Sequence, residues 1–239
     1  MQTKVIVVMS PKGGVGKTTV AVNLATAISS LKKKTLLIDA NIDTPHVAVY
    51  YGFVGFKYSF EDLLNGNATI KDVIYTGDDP NFHILPSRVD NDTDELAKKK
   101  LVNMEKYLKL LEGIYDFIII DSKPSYNIDF IENLKNAESI IVSNPEITSI
   151  IEAKKIKEKL DYSKIDIIGL ILNKVNTRIR EQVTKKEAED MTGIQNIWRI
   201  REDQRVYLAL KQGIPIVTCA SRSPASLDII NIAKDVIKM

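Results

Sequence analysis

The chain has 239 residues, of which 44% are hydrophobic and 27% charged, with a formal net charge of +2. That balance excludes a disordered or fibrous protein, and the length suffices for a large core without disulfide or metal staples. No apolar run approaches the roughly 18 residues of a membrane span. The opening Met1-Gln2-Thr3-Lys4 lacks signal-peptide architecture. One cysteine, Cys219, and two histidines, His46 and His83, rule out a disulfide framework and a Cys/His-rich metal centre. The expectation is one domain over residues 1–239, in the cytoplasm.

In chain order, short Val/Ile/Leu runs at residues 4–9, 35–38, 82–85, 117–120, 139–142, 165–172, 194–200 and 214–217 predict strands. Continuous apolar runs suit parallel strands covered on both faces. Helical patterns lie between them at residues 18–31, 95–111, 128–135, 147–160, 202–212 and 225–237. Alternation of the two predicts an α/β fold, a doubly wound and mostly parallel sheet of seven to eight strands with helices on both faces. Residues 41–80 are the least regular stretch. There Ser59-Phe60-Glu61-Asp62 resembles a helix start that Gly66 could end.

The decisive segment is Pro11-Lys12-Gly13-Gly14-Val15-Gly16-Lys17-Thr18-Thr19, between the first strand and the first helix. Glycines there let backbone N–H groups curl around phosphate oxygens. The helix N-terminus adds about half a positive charge. By the mechanics of this motif, Lys17 would reach the β- and γ-phosphates, the Thr18 hydroxyl would ligate Mg²⁺, and Thr19 would donate to the α-phosphate. The ordinary motif has glycine where Pro11 stands, and here an additional lysine, Lys12, precedes the glycine pair.

This form resembles the deviant P-loop of the MinD/ParA family of ATPases. Further segments resemble that family's motifs. Leu36-Leu37-Ile38-Asp39-Ala40-Asn41 is similar to its second acidic motif, and Ile118-Ile119-Ile120-Asp121 to its Walker B strand. Asn144-Pro145-Glu146 matches a MinD-type segment, and Leu172-Asn173-Lys174 a base-binding strand end. Ile200-Arg201-Glu202-Asp203, Gly213-Ile214-Pro215 and Ser223-Pro224-Ala225 match its C-terminal pattern.

The resemblance implies ATP and Mg²⁺ as cofactors and a homodimer closed face to face over two ATP molecules. Lys12 would then reach the partner's phosphates. Residues 13–19, Asn173, Arg201 and Asp203 would bind the nucleotide, with Asn173 reading adenine. Thr18, Asp39 and Asp121 would hold the metal. Glu146 is either a cross-dimer contact to ribose or a helix cap. The family's second acidic motif usually ends in Asp, where this chain has Asn41. An amide can position water but cannot take a proton, so hydrolysis is expected to be slow. Two accounts stand: Asp43 or a partner supplies what is missing, or Asn41 is a substitution that traps ATP. Lys123, where many relatives carry proline or a small residue, is expected to face water.

Charge is uneven along the chain. Residues 1–149 carry 16 Lys/Arg against 19 Asp/Glu, a net −3, and residues 150–239 carry 17 against 12, a net +5. In the ParA branch the ATP dimer binds DNA without sequence preference, and this basic third suits it. Candidate DNA contacts are Arg178, Arg180, Lys185, Lys186, Arg199, Arg205 and Arg222. The first functional expectation is therefore a DNA-partition ATPase, nucleoid-associated when ATP-bound and reset by a ParB-like or other activating partner. The alternative is a MinD-like spatial regulator acting through protein partners or a membrane. The apolar residues of 228–239 match the family's last core helix, so no dedicated membrane-targeting helix is expected. A metal-cluster relative would need cysteines at the dimer face, and Cys219 is alone.

Overall fold

The computed structural model describes residues 2–53, 55–77, 79–89, 95–125, 128–134 and 136–239. Its first half runs β1 (Lys4–Met9), α1 (Lys17–Ser30), β2 (Thr35–Asp39), α2 (Val47–Tyr50), α3 (Phe60–Asn65), β3 (Tyr75–Thr76), β4 (Phe82–Leu85), α4 (Glu95–Lys100), a 3₁₀ turn (Leu101–Asn103) and α5 (Met104–Leu111). Then come β5 (Phe117–Asp121), α6 (Asp129–Glu132), β6 (Ala137–Ser143), α7 (Ile147–Tyr162), β7 (Asp166–Val175) and α8 (Lys185–Thr192). The chain closes with β8 (Ile197–Arg201), α9 (Arg205–Gln212), α10 (Ile216–Cys219) and α11 (Pro224–Lys238).

The strands form one eight-stranded sheet in the order β3-β4-β2-β5-β1-β6-β7-β8. Every neighbouring pair is parallel except β3 with β4. Alternation along the strands divides the core in two. Val5, Val7 and Met9 of β1 pack on one face with α3 to α8, while Ile6 and Val8 pack on the other with α1 and α9 to α11. Both faces of the central strands are dry, which explains their unbroken apolar runs. The expected doubly wound sheet is what the chain adopts, and it leaves the ends of β1, β2, β5, β6 and β7 along one edge, where ligands of such sheets bind.

Several elements differ from the sequence-based expectation. Residues 214–217 form no strand: Pro215 precedes a short helix, α10. A run of four apolar residues is too short for periodicity to separate strand from helix. The helix expected over 95–111 is interrupted by the 3₁₀ turn at Leu101–Asn103. The one expected over 202–212 starts at Arg205. The one expected over 128–135 is a single turn, Asp129–Glu132, and Lys135, its expected end, lies outside the described residues. The short helix after Ser59 forms as expected, with a reciprocal cap between Ser59 and Asp62 and Gly66 at its end. Unexpected elements are β3, α2 and α8. The last had a signal, since Thr184 and Glu187 form a capping box at its start. Among the described residues, no helix is long and apolar enough to cross a membrane.

Candidate nucleotide site

The loop between β1 and α1 lines a cavity of about 430 Å³ with residues 12–19, and its far wall is built by α9 and α11. Gly16 ends the loop at φ 90°, a left-handed conformation. A Cβ there would stand 2.3 Å from the Asn173 amide nitrogen. Glycine is thus required twice at this position, by the backbone and by the close approach of β7.

Lys17 and Thr18, the first two residues of α1, converge on one carboxylate. Lys17 Nζ lies 2.5 Å from Asp121 Oδ1, and Thr18 Oγ1 donates to Asp121 Oδ2 at 2.7 Å. Both partners of the ion pair are buried, with Asp121 at 0% exposure and Lys17 at 4%. Asp39 stands opposite Asp121 in the register of β2 and β5. It accepts backbone N–H groups from Asn41, His46 and Val47 at 3.0–3.2 Å, which fixes the loop leading into α2. Burial, then the neighbouring Asp121, push the Asp39 carboxyl up to about 8, against the lowering pull of those backbone donors and Lys17. Two buried carboxylates and a hydroxyl are an all-oxygen donor set, with Lys17 beside them offsetting part of the charge. That set fits a hard divalent cation such as Mg²⁺, which keeps several waters.

The remaining expected residues divide into those that face the cavity and those tied up elsewhere. Asn173 lines it, with Nδ2 donating to the Val15 carbonyl at 2.7 Å. Arg201 also lines it, but its guanidinium is held by both Asp228 oxygens at 2.8 Å and by the Pro224 carbonyl. Asp203 accepts from Arg205 Nε at 2.8 Å and from the Arg205 backbone. Arg201 and Asp203 thus lock β8, α9 and α11 together while both line the cavity wall. Asn41 is buried, and its amide donates to the Thr44 carbonyl at 2.7 Å and to the Thr44 hydroxyl at 3.0 Å.

Asp43 is spent in ion pairs with Lys98 and Lys123. Partial burial works to raise its carboxyl, but hydrogen bonds from the two lysines outweigh that and hold it below the usual range. Asp43 is accordingly a poor substitute base. Lys123 does not simply face water: its ammonium pairs with Asp43. Glu146 precedes α7 without a capping bond from its side chain, so the cap alternative is not realised. Lys12 pairs with Glu152 of α7 at 3.4 Å.

Sequence reasoning missed Tyr50, Val206, Tyr207 and Leu210, which form much of the apolar cavity wall together with Val49, Ile200 and Ile229. Tyr50 lies 2.6 Å from Thr19, hydroxyl to hydroxyl, and burial pushes its phenol above the ordinary value. Nothing marked α2, a four-residue helix inside the irregular stretch. Behind it, Gly52 and Gly213 touch backbone to backbone: a Cβ on Gly213 would meet Gly52 Cα at 2.6 Å.

The seven candidate DNA contacts are all exposed. Lys186 pairs with Glu189 and Asp190, and Arg205 with Asp203. Arg199 alternates with Trp198 and Ile200, which face α11, whereas Arg222 lies between α10 and α11. The seven do not share one face of the sheet.

A family model described as an AAA domain matches residues 3–161. An uncharacterised ATP-binding protein of Methanocaldococcus jannaschii is 33% identical over 97% of this chain and 87% of its own length. The cell division ATPase MinD of Pyrococcus furiosus superposes with a TM-score of 0.88 at 27% identity, over 98% of both chains. MinD of Pyrococcus horikoshii, solved in complex with Mg-ADP, gives 0.87 at 29%, over 98% of this chain and 96% of that one. The deviant glycine loop, the buried Lys17–Asp121 pair and these likenesses together make the chain a member of the MinD/ParA family of P-loop ATPases.

Proposed function

We propose that residues 1–239 form one ATP-driven switch domain, which dimerises on ATP and hydrolyses it slowly to ADP and phosphate. The observation that carries this reading is the convergence of Lys17 and Thr18 on the buried Asp121 carboxylate, beside Asp39, at the ligand-binding edge of the sheet. Lys17 and the amides of residues 13–19 would hold the phosphates. Thr18, Asp39 and Asp121 would hold Mg²⁺, directly or through its waters. Bound there, Mg²⁺ offsets charge developing on the transferred phosphoryl group. Asn173 would receive the adenine, with Val206, Tyr207 and Leu210 as apolar neighbours. Lys12 would leave Glu152 to reach the partner's phosphates, and Glu146 stands at the same end of α7 for a contact across the dimer.

The output we favour is MinD-like: positional control exerted through protein partners. Its support is the similarity to MinD proteins over nearly the whole chain, together with basic residues too dispersed to make one electrostatic face. A second reading, DNA partition with a ParB-like activator, keeps one specific support, the net +5 of residues 150–239. Co-sedimentation with DNA and with anionic liposomes, in ATP, ADP and no nucleotide at two salt concentrations, decides between them. Salt-sensitive, ATP-dependent DNA binding would establish partition and sink the favoured reading. Sedimentation velocity in the same nucleotides tests the dimer, and a monomer in ATP would refute the switch.

A further inference from the structure

Two consecutive residues at the end of β7 grip the glycine loop. Asn173 Nδ2 donates to the Val15 carbonyl and Lys174 Nζ to the Gly14 carbonyl, both at 2.7 Å. Neighbouring side chains on a strand point to opposite faces, so one loop is not normally within reach of both. β7 escapes this rule because Lys174 adopts φ 58° and the register with β8 shifts between Leu172 and Val175. A left-handed lysine costs free energy, and such outliers persist where the surroundings impose them. Lys174 is also exposed, so burial of its stem does not account for the conformation.

The peptide unit is planar, with the carbonyl of one residue opposite the N–H of the next. A hydrogen bond to the Gly14 carbonyl therefore sets the direction of the Val15 N–H. The bond to the Val15 carbonyl sets that of the Gly16 N–H in the same way. The two carbonyls are drawn toward β7, and the two N–H groups are turned from it. Gly14 and Gly16, at φ 83° and 90°, have the left-handed backbone that lets successive amides converge on an anion.

We propose that Lys174 is a positioning residue for the phosphate grip: with Asn173 it turns the Val15 and Gly16 amides toward the β-phosphate. This rests on the reading of the cavity as a nucleotide site. It also ties the two ends of that site together, since Asn173 carries both the base contact and half of the clamp. Lys174 is assigned no contact with the base or the phosphates, and it acts only through the loop.

Titration calorimetry of the full chain with AMP and with ADP, in Mg²⁺, tests this on Lys174→Met and Lys174→Arg. Methionine keeps the length of the side chain and removes the donor, whereas arginine retains a donor. Lys174→Met is expected to weaken ADP binding about tenfold, the order of one hydrogen bond to a charged site. AMP, which lacks the β-phosphate, should bind unchanged, and Lys174→Arg should restore most of the ADP affinity. Equal losses for AMP and ADP would place Lys174 on the base or ribose and overturn the proposal, as would no loss for either. Wild-type chain that binds neither nucleotide would refute the nucleotide site itself, an outcome distinct from any difference between the variants.

Discussion

Lys12 Nζ lies 3.4 Å from Glu152 Oε2, an ion pair between the glycine loop and α7 of the same chain. A lysine that serves a partner must give up this contact before it can serve there. Neutralising Glu152 removes the competitor. Glu152→Gln is therefore expected to tighten ATP-dependent dimerisation several-fold, while Lys12→Ala abolishes it. Both side chains are partly exposed, and such pairs contribute about 0–1 kcal/mol to folding, so thermal stability should barely move. Sedimentation velocity in ATP against protein concentration measures the effect. Weaker dimers from Glu152→Gln would show that the pair supports the dimer rather than restraining it.

The Lys17–Asp121 pair is a different case, because it is buried. Removing one partner strands the other charge away from water, at about 3–5 kcal/mol. Asp121→Ala should lower unfolding stability by that order in denaturant titrations and also abolish Mg²⁺-dependent ATP binding. Lys17→Ala strands Asp121 beside Asp39 and should be similarly destabilising.

Asn41→Asp is expected to raise ATP turnover about a hundredfold, the lower end of the range for a placed general base. The change also removes the Asn41 donor to Thr44 and sets a carboxylate against that carbonyl, which would loosen residues 41–44. Phosphate release at saturating ATP is the measurement. Unchanged turnover would mean that this position does not limit the chemistry.

Asp39 makes stability pH-dependent in the chain without metal or nucleotide. Its folded carboxyl, pushed up to about 8, holds a proton that the unfolded chain releases near 3.8. Between those values the folded state binds more protons than the unfolded one, so stability falls as pH rises from about 4 to about 8. Asp39→Asn should flatten this part of the profile. Denaturant midpoints at half-unit pH steps provide the check.

The glycine loop, Asp39, Asp121 and Asn173 were legible because their chemistry is local: a strand end, a turn and a helix start constrain residue type within a few positions. The doubly wound sheet was legible for a related reason, since β1, β5 and β6 are apolar on both faces. What was hidden depends on residues far apart in sequence. Asn41–Thr44 is a short-range contact, but the pairing of Asp43 with both Lys98 and Lys123 joins three separate segments. Arg201 lines the cavity as expected, but its pairing with Asp228, 27 residues away, carries no local signal. The capping box of Thr184 and Glu187, by contrast, is local and readable in the sequence. The edge strand β3, with two residues, carries no pattern at all.

The contact between Gly52 and Gly213 joins the end of α2 to the end of α9, the two elements that supply Tyr50 and Tyr207 to the cavity. No side chain interlocks there, so bare backbone sets the spacing between the two tyrosine-bearing helices. The cavity's width on that side is accordingly set by the van der Waals contact of two peptide backbones. Even a methyl group at residue 213 would act as a shim, spreading the walls without altering any residue that lines them.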